Sequence, residues 1–337
     1  VIVIYLGCIA MGIPHSVFGA AWPEIYTEFG VPVSYSSFTN FLIPGCTVLA
    51  SLYSTRLLKR IGTAKVAILG IGLIAAASLG YSLSGSFVWL VLFAVPTGFG
   101  MGIVDAALNN YIALHYKAIH MNLLHCFIGV GSSLSPYLMS IVFSQNIGWR
   151  SGYQIIFFLQ LAVVGILVLS LPLWKLTNAV SEVSEDKETQ ILSIREVLRM
   201  KNFSKIALII IGVNAVEVLC GTWGATFLVE VKSMSLEEGA QVVSIFFVGL
   251  TVGRFLAGIL STKIEPWKII RICILLGLAA IALLLPIPSE VYYAVFFLLG
   301  LGVSAVYPNM LHLTPTMFGK EVSSSVMRIE IAIAYTS

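Results

Sequence analysis

The chain is short of charge. Aspartate, glutamate, lysine and arginine together make up 10% of its 337 residues, against roughly a quarter in a soluble globular domain. A surface this poor in charge cannot stay solvated in water. The net charge of +3 is small, and no basic tail or arginine-rich run is present to follow a phosphate backbone, so no nucleic-acid partner is expected. The five cysteines lie singly inside apolar runs with no C-x-x-C pair, which reads them as small core residues rather than disulfides or metal ligands. His115, His120 and His125 recur every five residues, not at the i, i+4 spacing of a two-histidine metal site, so no metal is expected. Nucleophile–base pairs, HExxH and a phosphate loop are missing, which argues against an enzyme and against a cofactor.

What is abundant is apolar sequence: 58% of residues, with a mean hydropathy of +0.96. A spanning helix needs about 20 mostly apolar residues. That rule places ten complete spans near 1–22, 36–56, 65–85, 87–114, 121–144, 152–174, 206–229, 239–262, 268–286 and 291–314. An eleventh begins near 322 and is cut off at Ser337. The fold expected is an all-α polytopic membrane protein. Fifteen lysines and arginines fall on alternate loops and two, Arg150 and Lys232, on the others. By the positive-inside rule this puts the N-terminus in the cytoplasm, in a cytoplasmic (inner) membrane. The longest polar stretch, about 176–204, divides the chain into residues 1–175, a six-helix bundle, and 205–337, a second bundle that is incomplete. Within it TNAVSEVSEDKETQ reads as a solvated linker and ILSIREVLRMKNF as a short amphipathic helix.

The halves echo each other. Gly12, His15, Gly19 and Trp22 in the first span parallel Gly212, Glu217, Gly221 and Trp223 in the seventh. Gly98 and Gly100 in the fourth parallel Gly300 and Gly302 in the tenth.

Ionisable residues inside a membrane are costly and mark function by default. Gly98, Gly102, Asp105 and Asn109 share one helical face, the glycines for close packing, the acid and amide for a polar solute or a proton. Glu217 sits with Asn214, Gly221 and Gly224 on another such face. His15 follows a helix-perturbing Pro14, and His125 lies on a stripe with Asn122, Gly129, Ser132 and Pro136. Asn110, Tyr307 and Asn309 are further candidate solute contacts. Arg254, near one end of the eighth span, and Arg56, in a basic loop, are candidate gating residues.

GIPHSVFGAAWPEI, RLLKRIGTAK, GFGMGIVDAALNNYIALHY, LLHCFIGVGSSLSPY, VEVLCGTWGATFLV, VGRFLAG and GLGVSAVYPNMLHLTP together resemble the major facilitator superfamily, in its fucose-permease-like branch, over essentially the whole chain. The resemblance implies two six-helix bundles around a central cavity that rock between two open states, and proton-coupled sugar symport. It carries the acid of the fourth span onto Asp105, followed by Ala106, Ala107 and Asn109. Three places along the chain depart from the family's pattern. His15 stands where relatives have an acid. Ser54 and Thr55 precede Arg56 where a gating Asp is usual. Arg328 and Glu330 replace Gly and Gln. The reading is a monomeric secondary transporter of a small polar solute in a lipid bilayer, a sugar and protons being the expected cargo. A drug or metabolite efflux antiporter is the alternative within transport, and a non-transporting sensor or decayed paralogue the alternative outside it.

Overall fold

Pro14 shapes the start of the chain. It has no N–H to donate to Ala10, so the first span breaks there into α1 (Ile2–Gly12) and α2 (Pro14–Phe29). A bare carbonyl in a membrane interior must find another donor. Gln160 supplies it, its Nε2 donating to Ala10 O at 2.7 Å from a fully buried position. Ser132 and Ser135 donate to the next carbonyls, Gly12 O at 3.1 Å and Ile13 O at 2.9 Å. Gln160→Leu leaves Ala10 O buried and unpaired, a cost of about 1–3 kcal/mol. A lower melting temperature in detergent checks this; an unchanged one rules it out.

A computed structural model describes residues 2–116, 118–172, 174, 192–261, 263–284, 288, 291–319 and 321–336. After α2 the helices are α3 (Ser36–Ile61), α4 (Thr63–Ser82), α5 (Phe87–His115), α6 (Ala118–Ser144) and α7 (Gly148–Leu169). They continue with α8 (Ile194–Leu198), α9 (Phe203–Glu230), α10 (Leu236–Leu260), α11 (Pro266–Ala282), α12 (Val291–Ser304), α13 (Val306–Phe318) and α14 (Ser323–Thr336). The expected linker TNAVSEVSEDKETQ lies outside the described residues. The amphipathic stretch after it forms α8, opened by a capping box. Ser193 N and Oγ donate to Glu196 Oε2 at 2.8 and 2.7 Å, which holds that carboxyl below its usual range.

Among the described residues, eight helical stretches are long and apolar enough to cross a membrane. Two of the ten complete spans expected from sequence are not among these eight. Ser36–Ile61 is a continuous helix of 26 residues whose hydroxyls are bonded back to it: Thr47 Oγ1 donates to Ile43 O at 2.9 Å and Ser51 Oγ to Val48 O at 2.8 Å. Pro266–Ala282 is apolar but only 17 residues long. Two boundaries also move. The first span runs on through Pro23 to Phe29, where Gly30 turns left-handed at φ 60° and stops it. The tenth divides at Ala305, because Pro308 has no N–H for Ser304 O.

Two bundles result. In the first, α5 packs on α3 and α4, α4 on α7, and α1 and α2 on α6; in the second, α12 packs on α10 and α11, and α9 on α10, α13 and α14. The echo in the sequence becomes an echo in packing. Gly98 abuts Ile43 O on α3 and Gly100 abuts Gly70 O on α4; Gly300 abuts Phe246 O on α10 and Gly302 abuts Gly277 on α11. Paired glycines thus seat corresponding helices in each half. Each bundle has two main apolar cores, one toward either end, and a smaller cluster beside them. Glu217, Arg254 and Tyr307 fall at the level where the two cores of the second bundle meet.

Candidate functional site

The bundles touch chiefly along two seams, with a smaller contact of α14 on α3. On one, α2 crosses α9 with Gly19 against the Gly221–Thr222 backbone. On the other, α6 lies along α10, where Ser244 Oγ donates to Ser133 O at 2.8 Å and Gly129 meets Thr251. The end of the molecule carrying residues 22–30 is shut. Tyr26 OH on α2 donates to Glu230 at the end of α9, and Trp22 is fully buried beneath it. Outside this closure lies a pocket of about 310 Å³ lined by Glu24, Glu28 and Glu230. Its acids are already engaged: Trp149 N donates to Glu24 at 2.8 Å, and Trp149 Nε1 and Arg150 both donate to Glu28. Tyr26→Phe removes one exposed hydrogen bond from the closed arrangement, about 1 kcal/mol or roughly a five-fold shift toward opening at this end. Distances between spin labels on α2 and α9 report that shift.

Between the seams lies a polar level built from both bundles. On α5, Asn109 Nδ2 donates to Asp105 Oδ1 at 2.7 Å and to Asp105 O at 2.9 Å, one helical turn back. Both residues are half-buried, and Asn110 beside them is exposed. On the opposite bundle, Arg254 of α10 reaches Glu217 of α9, Nη2 lying 3.2 Å from Oε2 and 3.5 Å from Oε1. His15 on α2 is exposed and feels the charges of both Glu217 and Arg254. His125 on α6, half-buried, feels Arg254. Tyr307 on α13 is half-buried. These polar side chains come from helices of both bundles.

The sequence singled out most of these groups but not their pairings. Arg254 does not snorkel to the interface; it turns inward to Glu217. Asn309 is buried, and its Nδ2 donates to Ala305 O at 2.7 Å, one turn back on its own helix. Arg56 is exposed and stacks on Tyr53 of its own helix, 5.3 Å from the ring centroid. His120 is hydrogen-bonded to Tyr5 OH at 2.7 Å. The side chains of Thr55, His115, Asn122 and Arg328 lie outside the described residues. Glu330, set aside in the sequence as a departure without a partner, is fully buried and accepts from Thr314 Oγ1 at 2.7 Å. Its signal was a carboxyl inside an apolar run. Gln160 gave a signal too: Pro14 stands four residues after Ala10, and the carbonyl it strands demands a donor.

The pattern described as Major Facilitator Superfamily matches residues 4–329. Bypass of stop codon protein 6 from Saccharomyces cerevisiae is 23% identical, the match covering 96% of this chain and 72% of that protein. Among solved structures, the chain is similar to a bacterial homolog of the human lysosomal transporter Spinster, in an inward-facing and occupied conformation. The TM-score is 0.74 at 15% identity, over 99% of this chain and 77% of the other. It is also similar to a D-xylose-proton symporter, TM-score 0.71 at 14% identity, over 99% of this chain and 86% of the other.

Proposed function

The chain belongs to the Major Facilitator Superfamily, and from that premise we propose that it is a secondary active carrier moving a small polar solute by alternating access, driven by protons. That it is a membrane transporter rather than an enzyme follows from the family; the solute, the coupling and the residues that serve them are the proposal. The observation that carries it is the polar level itself. Asp105 with Asn109 on one bundle and Glu217 with Arg254 on the other are half-buried polar pairs inside apolar helices. Charge kept at membrane depth at such cost marks a solute or proton path. His15 occupies the place of the acid that relatives resembling this chain carry, so proton binding falls to Asp105 and Glu217. The likeness to a D-xylose-proton symporter supports a sugar as one cargo; the fucose-permease-like branch rests on the sequence motifs alone. The loop lysines and arginines support an N-terminus in the cytoplasm and a cytoplasmic membrane. Residues 1–175 and 205–337 then form the two rocking bodies, with Arg56 at the mouth between them.

Uptake into proteoliposomes tests the reading. A radiolabelled sugar panel is expected to yield at least one solute whose entry an inward proton gradient accelerates. Asp105→Asn removes a charge-assisted hydrogen bond and the site's proton acceptor together, and uptake falls roughly ten- to hundred-fold. Equal uptake with and without the pH gradient removes the proton coupling and leaves the carrier. No flux of any solute by the wild type removes the carrier reading itself.

A further inference from the structure

Two ion pairs in this molecule differ sharply in quality. Arg150 grips Glu28 through Nη1 at 2.5 and 2.7 Å, donates Nη2 to Ser84 O at 2.9 Å, and lies over the Trp149 ring at 4.5 Å. That is a well-used guanidinium. Arg254 is deeper, with 17% of its side chain exposed, yet makes far less of its position. It offers Glu217 one nitrogen, at 3.2 and 3.5 Å, where charge-assisted bonds run about 2.7–2.9 Å. Its Nε is buried with no acceptor. Leaving a buried charged donor unpaired is expensive, and a structural ion pair would not be built this way.

The geometry points to Glu217 as an internal stand-in: we infer that Arg254 is the seat for a carboxylate on the transported solute, which displaces Glu217 and engages the guanidinium as a fork. This rests on the carrier reading and narrows it, from a small polar solute to a small organic acid such as a sugar acid. The surroundings suit such a ligand. Exposed His15 lies within reach of the same charges, and Asp105 with Asn109 on the first bundle accepts from and donates to hydroxyls. The exchange also accounts for coupling. When a carboxylate takes Arg254, the released Glu217 is left without its partner. If it takes up one proton, the charge around Arg254 is the same before and after, so one proton accompanies each carboxylate. The ionisable groups that bear on Glu217 are His15 from α2, Arg254 from α10 and Cys220 on its own helix. Tyr307 from α13 and Glu330 from α14, the latter accepting from Thr314 Oγ1 at 2.7 Å, are further ionisable groups of the second bundle.

The test uses matched ligands on the full chain in nanodiscs at constant ionic strength: D-glucuronate against D-glucuronamide, and lactate against lactamide, read by tryptophan fluorescence. At least one carboxylate is expected to bind about ten-fold more tightly than its amide, and more tightly as the pH falls. Arg254→Gln abolishes the preference, and Arg254→Lys keeps part of it. Glu217→Gln removes the internal competitor, so carboxylate binding tightens and loses its pH dependence. The inference is overturned if no carboxylate is preferred over its amide, or if the preference survives Arg254→Gln. Should Arg254→Gln fail to yield a monodisperse protein, Glu217→Gln decides alone, and unchanged or weaker carboxylate binding overturns it. A neutral solute whose flux is lost in Asp105→Asn and indifferent to Arg254→Gln also overturns it, while the carrier reading stands.

Discussion

Gly19→Leu is expected to cut transport roughly ten- to hundred-fold while the protein still folds. Gly19 is the point where α2 rests on α9, and a Cβ there would run into the Gly221 carbonyl and Thr222 Cα. Backbone cannot swing aside as a flexible side chain does. Overpacking of this kind costs about 1–3 kcal/mol, and here the cost falls on one conformation only. The arrangement closed at the Tyr26–Glu230 end needs the contact; one in which that end has opened does not. A carrier that must visit both is slowed by the factor by which one is depleted. The fold is spared because the neighbours of Gly19 on its own helix, Phe18, Ala20 and Trp22, keep their places in the core of the first bundle. A cysteine pair, Tyr26→Cys with Glu230→Cys, measures the closure directly, since the wild-type side chains touch. In the Gly19→Leu background the disulfide should form more slowly by the same factor as uptake falls, with the melting temperature nearly unchanged. A slow carrier with an undiminished crosslinking rate would place the defect elsewhere.

How much of this was legible in advance depends on how far apart the interacting residues lie. Apolar runs exposed the helices, and the i, i+4 spacing of Asp105 and Asn109 put them on one face, though not the hydrogen bond between them. The Glu217–Arg254 pair escaped. Its members stand on different helices, and Arg254, six residues from the end of α10, read equally well as a snorkelling side chain. Asn309 is bonded locally, its Nδ2 to Ala305 O, a bond no spacing in the sequence announced. The span expected at 36–56 is the helix Ser36–Ile61, whose serine and threonine hydroxyls are bonded back to the helix and so cost little at depth. The closed seam between α2 and α9 had no sequence signal beyond Gly19 and Gly221, and glycines alone do not say what they approach.

The second large effect is on stability, and it tests whether the two halves are one design used twice. Gly98→Val and Gly300→Val should each destabilise the protein by about 1–3 kcal/mol or more, because each Cβ would collide with a backbone carbonyl, Ile43 O in the first bundle and Phe246 O in the second. In a chain of this size each kilocalorie lowers the melting temperature by about 1–2 °C. Gly72→Val and Gly258→Val are the controls, since a Cβ at either position meets nothing within 4 Å. They bear only the small helix-propensity change of a glycine replaced by a β-branched residue. The two damaging substitutions lie in separate bundles with no shared partner, so their costs should add in the double variant to within about half a kilocalorie. Comparable, additive losses mean that each bundle is held by its own fourth-to-second-helix contact. A loss at Gly98 with none at Gly300 would mean the resemblance between the halves is one of pattern and not of load, and that the second bundle draws its stability from the first across the α6–α10 seam.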